Sequence, residues 1–438
     1  MSPRLLIFRF CVILILLLGI LGGSQRPVQS AADMVITVNS TEDLNDYAPG
    51  NSVCSALQVT GGPCTLRAAI TEANLNIATP NQNIIIKITP GEYNLTIPPN
   101  YLIDPKNDKY SGDLNIDFVG VTNTNTITIE PLGGGPVVIR SMVEDRIFNI
   151  DQHIRVIINN LIMREGHAVI DSNNPDGGGA IRNRGNLTLN GVALLSNTVS
   201  CRSGDSCGGA GGAIENWSNL TIQDSTLDGN TALQAGAIWN SGNLTIVYSS
   251  ISNNHTSNSG TITNNATLSI LNSTFSGNSS LSTLSGIYNY GTLNIQSTTM
   301  ANHGAINAIF NFKDKSTSLK DNIFKAEPGG KNCFIQSGSI WMEGGYNIAN
   351  DDTCQLLALG DLSDVDPMLG SFDYWGGPTK TYMLLPGSPA IDHRPGVCQM
   401  AVNFLIDDQR RWPRSDGQCD TGAYEFSPWH LYLPVITK

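Results

Sequence analysis

The sequence predicts an all-β protein built as a solenoid, and three observations support this fold class. Charged residues make up 14% and aromatic residues 7% of the 438 residues, whereas glycine occurs 44 times. This composition suits short strands joined by tight turns and provides little material for helices. A pattern of about 24 residues recurs along the chain, and apolar and polar residues alternate inside each copy. Such a repeat is typical of a β-solenoid, because one coil buries its apolar side only by stacking on the next.

The repeat is clearest where five copies align on an isoleucine, with steps of 33, 24, 24 and 25 residues. Asparagine follows each isoleucine after two residues and leucine after six. In coils about 4.8 Å apart, equivalent apolar residues form interior columns, and equivalent asparagines can form side-chain amide ladders. The isoleucines are Ile181, Ile214, Ile238, Ile262 and Ile287; the asparagines are Asn183, Asn216, Asn240, Asn264 and Asn289; a later column is Asn197, Asn230, Asn254 and Asn278, with His303 in the fifth copy.

Residues 1–32 have the pattern of a secretory signal peptide. Arg4 and Arg9 precede an apolar run over 10–21, and Ser30, Ala31 and Ala32 offer small residues for cleavage. The alternative is an uncleaved anchor, and no later apolar stretch is long enough to span a bilayer. Cleavage would remove three arginines and no acidic residue, which lowers the formal charge from −12 to −15. A chain of this charge is not expected to bind nucleic acid or anionic lipid.

One helix is predicted, over 64–76, with Thr65 as its N-cap. Its apolar face would consist of Leu66, Ala69, Ile70 and Ala73. Because a solenoid exposes unpaired strand edges at its ends, we expect this helix to cap the N-terminal end. Strand-like runs continue the stack less regularly on both sides of the five copies, at 83–97, 126–131, 135–141, 154–163, 319–324 and 345–350.

The cysteines predict disulfides rather than a metal site. Eight of the nine cysteines lie outside the signal segment, and export permits their oxidation. No couple has zinc-finger spacing with a histidine nearby, so we expect neither a metal nor a cofactor. Local pairing is the simplest of the 105 possible arrangements, and it joins Cys54 with Cys64, Cys201 with Cys207, Cys333 with Cys354, and Cys398 with Cys419.

Three motifs resemble known families of exported bacterial surface proteins. GGAI at 211–214 and FSGN at 275–278 resemble the GGAI/FxxN repeats of polymorphic outer-membrane proteins, and CTLRAAI at 64–70 resembles the CSLREA-type N-terminal domain. The segments GGPTKTYMLLPGSPAID, DDQRR and CDTGAYEF resemble the choice-of-anchor Q module, although Arg411 stands where that family has glycine. The resemblance implies a right-handed parallel β-helix with the pectin-lyase-like fold, exported and surface-associated, and it implies no catalytic residue.

This resemblance also suggests the domain boundaries. They are 1–32 for the signal peptide, 33–82 for the CSLREA-like cap, 83–350 for the β-helix with its clearest coils at 177–312, 351–426 for the choice-of-anchor Q-like module, and 427–438 for the tail.

The candidate binding residues are those that vary between copies, one and three positions after each isoleucine. If the isoleucines point inward, alternation places both positions outward, and stacking aligns them on one exposed face. Exposed aromatic rings with polar neighbours suit sugar rings, so the expected partner is a polysaccharide or cell-surface glycan. The alternative is that the aromatic rings only brace neighbouring coils. The predicted face contains Trp217, Trp239, Tyr288, Tyr290, Arg182, Arg184 and Glu215.

Two further functions remain open: a polysaccharide lyase or hydrolase, and a structural spacer at the cell surface. Glu165, His167, Asp171 and Asp176 cluster in one segment, but sequence proximity within a loop is weak evidence for a catalytic site. The acidic residues of the C-terminal module admit a catalytic carboxylate pair, but salt bridges and turns that close the solenoid are the simpler interpretation. These residues are Asp392, Asp407, Asp408, Asp420 and Glu425.

Overall fold

The computed structural model describes residues 32–58, 61–100, 111–117, 124–170, 177–202, 211–281, 284–303, 307–396, 407–414 and 417–427. Over these residues the chain is a parallel β-helix with a short N-terminal helix, so the predicted fold class is confirmed. Several predictions lie outside the described residues: the signal peptide up to residue 31, Asp171, Asp176, Cys207, Cys398 and the tail after residue 427.

Four parallel sheets run along the helix axis, and successive strands of the chain visit sheets I, II and III in turn. Sheet I consists, in the described chain, of Leu114–Ile116, Phe148–Ile150, Ile181–Asn183, Ile214–Asn216, Ile238–Asn240, Ile262–Asn264, Leu284–Asn289, Asn307–Asn311 and Cys333–Ile335. Sheet II consists of Met34–Val38, Ile84–Ile88, Thr126–Pro131, Arg155–Asn159, Asn186–Asn190, Asn219–Gln223, Asn243–Val247, Thr267–Leu271, Thr292–Gln296, Ser316–Lys320 and Ile340–Glu343.

Sheets III and IV complete the coils. Sheet III consists of Gly91–Leu95, Val137–Ser141, Ile162–Arg164, Ala193–Leu195, Thr226–Asp228, Ser250–Ser252, Thr274–Ser276, Thr299–Ala301, Ile323–Lys325 and Ile348–Ala349. Among the described residues, sheet IV follows sheet III in the middle coils, with the strands His167–Ile170, Thr198–Cys201, Thr231–Ala232, His255–Thr256 and Ser279–Ser280. Two antiparallel hairpins pair Leu369–Asp373 with Thr381–Leu384 and Arg394–Pro395 with Gln418–Cys419.

The core consists of the predicted apolar columns. Alternating residues of each short strand point inward, and each meets its equivalent in the next coil in register. Ile181 pairs with Ile214, which pairs with Ile238, and all three are fully buried. One continuous apolar cluster therefore extends from Ile36 in the first strand to Leu356 after the last coil.

The predicted amide ladders are also confirmed. Asn183, Asn216, Asn240, Asn264, Asn289 and Asn311 form one buried ladder, in which each side-chain amide donates to the carbonyl oxygen of the next at 2.7–2.8 Å. The second ladder joins Asn197, Asn230, Asn254 and Asn278 at 2.9 Å. Buried amides are satisfied here because an identical amide lies one coil above and below.

The helix spans Leu66–Asn76 and is capped as predicted, since the Thr65 side chain accepts a hydrogen bond from the Ala68 backbone N–H at 3.1 Å. Its predicted apolar face is buried against the first strands. Arg67 fastens the helix to the preceding segment through a buried ion pair with Asp43 at 2.6 Å. The strand Met34–Val38 lies within the predicted cap and is the first strand of sheet II, so the cap and the solenoid share one sheet.

Two predicted disulfides are confirmed. Cys54 is bonded to Cys64 beside the helix, and Cys333 is bonded to Cys354 at the C-terminal end of the solenoid. Cys201 and Cys419 are also disulfide-bonded, and the partners predicted for them lie outside the described residues.

The C-terminal module lies along the flank of sheet III. Thr381 and Tyr382 contact Thr274 and Ser276 of that sheet, at 2.8 and 2.6 Å between side-chain oxygens. The first residues of the module, around Cys354 and Leu356, have side chains that join the main core at the end of the solenoid. The expectation that the module closes the solenoid therefore holds for these residues, whereas the part around Thr381 and Tyr382 lies beside sheet III.

Replacing Asn240 with alanine should destabilise the protein by about 3 kcal/mol, because several buried polar groups would lose their partners. The Asn240 amide donates to Asn264, Gly242 and Thr267 and accepts from Asn216. Denaturant unfolding measures the loss. Asn243→Ala, which removes an exposed amide ladder contact, is the matched control and should cost under about 1 kcal/mol. Equal losses for the two variants would contradict a special role of the buried ladder.

Replacing His303 with asparagine should remove a pH-dependent part of the stability. Burial lowers the pKa of His303 from 6.5 to about 4, so the unfolded chain binds a proton more readily between these values. The contribution of the neutral imidazole is present above pH 6.5 and is lost as the pH falls through 4. The free energy of unfolding of the wild type, relative to His303→Asn, should therefore fall by about 3 kcal/mol from neutral pH to about pH 4. A constant difference would show that water solvates this side chain.

Candidate functional site

The candidate site lies on the outer surface of sheet I, where two rows of side chains run along the axis. Row 1 follows the inward isoleucines, and the strand register extends it to Phe310 and Phe334. Row 2 begins two residues later, and its backbone hydrogen bonds extend it to Phe312. Row 1 is Arg182, Glu215, Trp239, Thr263, Tyr288, Phe310 and Phe334, and row 2 is Arg184, Trp217, Ser241, Asn265, Tyr290 and Phe312.

Row 1 is buried in the first two coils of the clear repeat. The prediction that Arg182 and Glu215 lie on an exposed face is therefore wrong. Their exposed fractions are 5% and 1%. The chain continues from sheet III into sheet IV before it returns to sheet I, and described residues of the connecting segments contact row 1, as where Thr263 donates to the Gln234 carbonyl oxygen at 3.3 Å. The Gly177 backbone N–H donates to the Glu215 carboxylate at 3.1 Å. Sheet IV has an apolar cluster of its own, formed by Ala168, Ile170, Val199 and Ala232.

Row 1 becomes partly exposed on the C-terminal side of the last described strand of sheet IV, Ser279–Ser280. From there toward the C-terminal end, row 1 is aromatic through Phe334 and row 2 is aromatic through Phe312, with Gln336 following in row 2. Tyr288, Phe310 and Phe334 stack in one column with centroid distances of 5.1 and 4.6 Å. Tyr290 and Phe312 stack in the second column at 3.8 Å. We call these five residues the aromatic cluster.

The aromatic cluster both braces the coils and faces solvent. Ring planes within a column are within 18° of parallel, so each ring covers the face of its neighbour and presents its rim outward. Tyr290 and Phe334 remain 38% and 44% exposed. The last described strand of sheet I holds Phe334, the final ring of its column.

Sequence reasoning missed Phe310, Phe312 and Phe334. The signal for the first two was present, because AIFNF at 308–312 is a sixth copy of the motif. It follows the fifth copy after only 22 residues, and Ile287 pairs with Ile309 in the structure. Phe334 follows a cysteine rather than an isoleucine at the inward position, so the motif did not reveal it.

The predicted tryptophans lie apart from the cluster. Trp217 is 48% exposed in row 2, and Ser241 and Asn265 separate it from Tyr290. Trp239 is half-buried in row 1, and its indole N–H donates to Ser241 at 3.1 Å. Arg184 is partly exposed at the lower end of row 2. The structure therefore brings Tyr288 and Tyr290 together with three phenylalanines, and leaves Trp239 two coils and Trp217 three coils away on the N-terminal side.

The cluster forms a desolvated environment for its hydroxyl groups. Burial, and secondarily the neighbouring Tyr290, raises the pKa of Tyr288 to about 12. Burial also raises the pKa of Tyr290. Both tyrosines therefore remain neutral hydrogen-bond donors and acceptors at any physiological pH.

The acidic segment at the entry to the clear coils serves local ion pairs in its described part. Glu165 forms ion pairs with Arg140 and Arg164, and His167 Nε2 lies 2.8 Å from Ser200 Oγ. Among the residues whose placement is described, no group of three or more His, Cys, Asp or Glu side chains is arranged to hold a metal ion. No described helix is long and apolar enough to cross a membrane.

The acidic residues of the C-terminal module are joined to arginines. Asp408 pairs with Arg410 at 2.6 Å, and Glu425 pairs with Arg414 at 2.9 Å, with all four side chains buried. The guanidinium group of Arg410 also packs on the rings of Tyr424 and Trp412, at 3.6 and 4.2 Å from their centroids.

The remaining acids of the module fix its backbone and its contact with the solenoid. The Asp420 carboxylate accepts from the backbone N–H groups of Asp392 and Phe426, and burial raises its pKa to about 6. The Asp407 backbone carbonyl accepts from the Asn272 amide of the solenoid at 2.8 Å. Together with the ion pairs, these contacts agree with the structural interpretation of the module.

A second buried charge cluster, which the sequence did not indicate, joins the cap helix to the first coils. Asp113 lies 3.4 Å from Arg146, and its backbone N–H donates to the Asp145 carboxylate at 2.9 Å. Arg67 of the helix donates to the Asp113 carbonyl oxygen. Burial, and secondarily the charge of Asp145, raises the pKa of Asp113 to about 7.

Comparison with known proteins adds one structural likeness. No family model matches the sequence, and no curated protein is significantly similar to it. Among solved structures, the crystal structure of pectate lyase Pel9A is similar to this chain with a TM-score of 0.43 and 12% sequence identity, over 92% of this chain and 98% of that chain. At this TM-score the likeness carries no argument about activity.

Replacing Tyr288 with phenylalanine should remove a late step from the alkaline titration of tyrosine absorbance. The phenol in the cluster should ionise near pH 12 rather than near the usual value of about 10. The difference between the wild-type and Tyr288→Phe titrations, followed at the phenolate absorption band, isolates this group. A difference step centred near pH 10 would show that water reaches Tyr288 and that the columns open in solution.

Proposed function

We propose that this protein is an exported, surface-associated β-helix that binds glycans through the aromatic cluster and catalyses no reaction there. The observation that carries the proposal is the position of five aromatic side chains on one outer surface, in a chain with only 7% aromatic residues. Large apolar patches on soluble proteins commonly mark interaction sites.

The chemistry of the cluster suits a sugar chain. Ring rims and the free face of a terminal ring offer apolar contact to the C–H groups of a pyranose, while tyrosine hydroxyls and nearby amides can bind its hydroxyl groups. Tyr290 supplies such a hydroxyl, and the exposed side chains of Asn265 and Gln336 flank the cluster in row 2. Because the columns stack on each other, the surface is preorganised and little side-chain entropy is lost on binding.

The burial of Glu215 supports glycan binding rather than glycan cleavage at this face. Glu215 is the acidic residue among the predicted face residues, and it lies buried beneath the segment that carries Gly177. A general acid or base must reach the substrate within hydrogen-bond distance, which this position does not allow in the present conformation. Polysaccharide cleavage would therefore require groups elsewhere.

Export and surface association rest on the signal-peptide pattern, on the resemblance to CSLREA-type and choice-of-anchor Q proteins, and on the disulfides. Disulfides persist in oxidising compartments, which supports an extracellular location. A structural role as a spacer is the second candidate. The two buried amide ladders favour it, because they hold the central coils together through satisfied contacts that resist local opening.

Replacing both Tyr290 and Phe334 with alanine should abolish most glycan binding, because the two most exposed rings of the cluster would be lost. The measurement is the binding of the mature chain to a glycan array, followed by titration of the best polysaccharide. Tyr47→Ala is the matched control, since Tyr47 is exposed in the cap region, and it should bind as the wild type does.

Two outcomes would contradict the proposal. One is that the wild type binds no glycan on the array, and the other is that the double variant binds with unchanged affinity. Incubation with pectin, alginate and chondroitin tests the enzymatic alternative, and new reducing or unsaturated ends would overturn the assignment as a non-catalytic protein.

A further inference from the structure

Sheet II has a different outer surface from sheet I. Each of its five-residue strands has three outward positions. In six consecutive coils the first two of these positions are occupied only by asparagine, threonine and serine, and the strand register aligns them into two columns. We call these two columns the hydroxyl–amide grid. Its first column is Asn186, Asn219, Asn243, Thr267, Thr292 and Ser316, and its second is Thr188, Thr221, Thr245, Ser269, Asn294 and Ser318. The third outward column is Asn190, Gln223, Val247, Leu271, Gln296 and Lys320.

The grid is periodic and uncharged, and Val247, Leu271 and Lys320 of the third outward column lie beside it. Neighbouring columns are separated by two residues of strand, about 6.7 Å, and neighbouring coils by about 4.8 Å. The side chains are exposed or half-exposed. The Asn219 amide donates to Asn186 at 2.6 Å, and the Asn243 amide donates to Asn219 at 3.0 Å, so these groups are held in place. Arg155 bounds the grid at one end, and Ile340 and Met342 bound it at the other.

A surface of this kind is a poor binder of ordinary solutes. Exchanging a hydroxyl–water hydrogen bond for a hydroxyl–solute bond gives little net free energy. The twelve grid positions hold no charged, aromatic or large aliphatic side chain that would add a stronger contact. The six-coil repetition therefore suits a partner that is itself periodic and does not require removal of the bound water.

We propose that the hydroxyl–amide grid binds the surface of ice. Fixed hydroxyl and amide groups at regular spacing hold a first layer of water at regular positions, and that layer can join a crystal of water without being displaced. Threonine methyl groups between the hydroxyls limit the alternative positions of these waters. This function does not depend on glycan binding, because the grid and the aromatic cluster lie on different sheets.

The test measures thermal hysteresis, the gap between the melting and freezing temperatures of an ice crystal in a solution of the mature chain. The wild type should show a gap above that of buffer and should become enriched in a growing ice front. Thr221→Lys with Thr245→Lys places two mobile charges in the centre of the grid and should reduce both signals to near the buffer level. Ser269→Lys alone, in the next coil, should act in the same direction.

Thr231→Lys is the matched control, because Thr231 lies in the same coil as Thr221 but on sheet IV. It should leave the gap unchanged, and circular dichroism should show that all variants are folded. Absence of a gap in the wild type, or a gap that the grid variants leave unchanged, would overturn the proposal. Binding to insoluble cellulose or chitin that depends on the grid, without any effect on ice, would overturn it in favour of a solid polysaccharide.

Discussion

The structure depends on the in-register contact between each residue and its equivalent in the next coil. A buried amide such as Asn240 is acceptable because identical amides lie directly above and below it and satisfy its donors and acceptor. The same contact turns a single isoleucine into a continuous core column. One interaction, repeated along the axis, therefore determines which residues recur at the inward positions of the coils.

Since the inward residues are required for packing between coils, we expect the residues that determine function to lie on the outer surfaces. Sheet IV and its connections cover the lower part of sheet I, and the C-terminal module covers the upper part of sheet III. Arg411 fastens the module to the solenoid by a bidentate contact with Asp224 and by packing on the ring of Tyr248. The aromatic cluster and the hydroxyl–amide grid are exposed surfaces that these layers do not cover.

The sequence predicts the repeated features well, because residues at equivalent positions of successive repeats are the residues that contact each other in the stack. The apolar columns, the amide ladders and the capped helix follow from spacing alone. The sequence predicts poorly which outer surfaces are covered by other segments. The burial of Glu215, for example, depends on the path of a connection between sheets and not on the alternation within a strand. The module position is unpredictable for the same reason, since its contacts with Thr274 and Ser276 join residues more than 100 positions apart.

The two predicted rows are therefore present in register, but they differ in exposure. Row 2 is already exposed at Trp217, whereas row 1 is buried at Arg182, Glu215 and Thr263 and becomes aromatic and partly exposed from Tyr288 onward. The sixth copy of the motif extends the rows to Phe310 and Phe312. It follows the fifth copy after 22 residues, whereas the earlier steps are 24 to 33 residues, so the period did not reveal it.

Stacking also explains where the charges lie. A repeated lysine or glutamate would stand about 4.8 Å from its own copy, where like charges repel. Buried ion pairs accordingly occur where the repeat is broken, as between Arg67 and Asp43 at the cap and between Arg410 and Asp408 in the module.

Neutrality is nevertheless not forced on sheet II, because Lys87 and Glu130 pair across adjacent coils of the same sheet. Alternating charges of this kind would stabilise the stack as well as hydroxyl groups do. The twelve grid positions contain none, and the outward column beside them contains one charged residue, Lys320. Stacking alone does not require this scarcity of charge on six successive coils, which is the reason to test that face for a function.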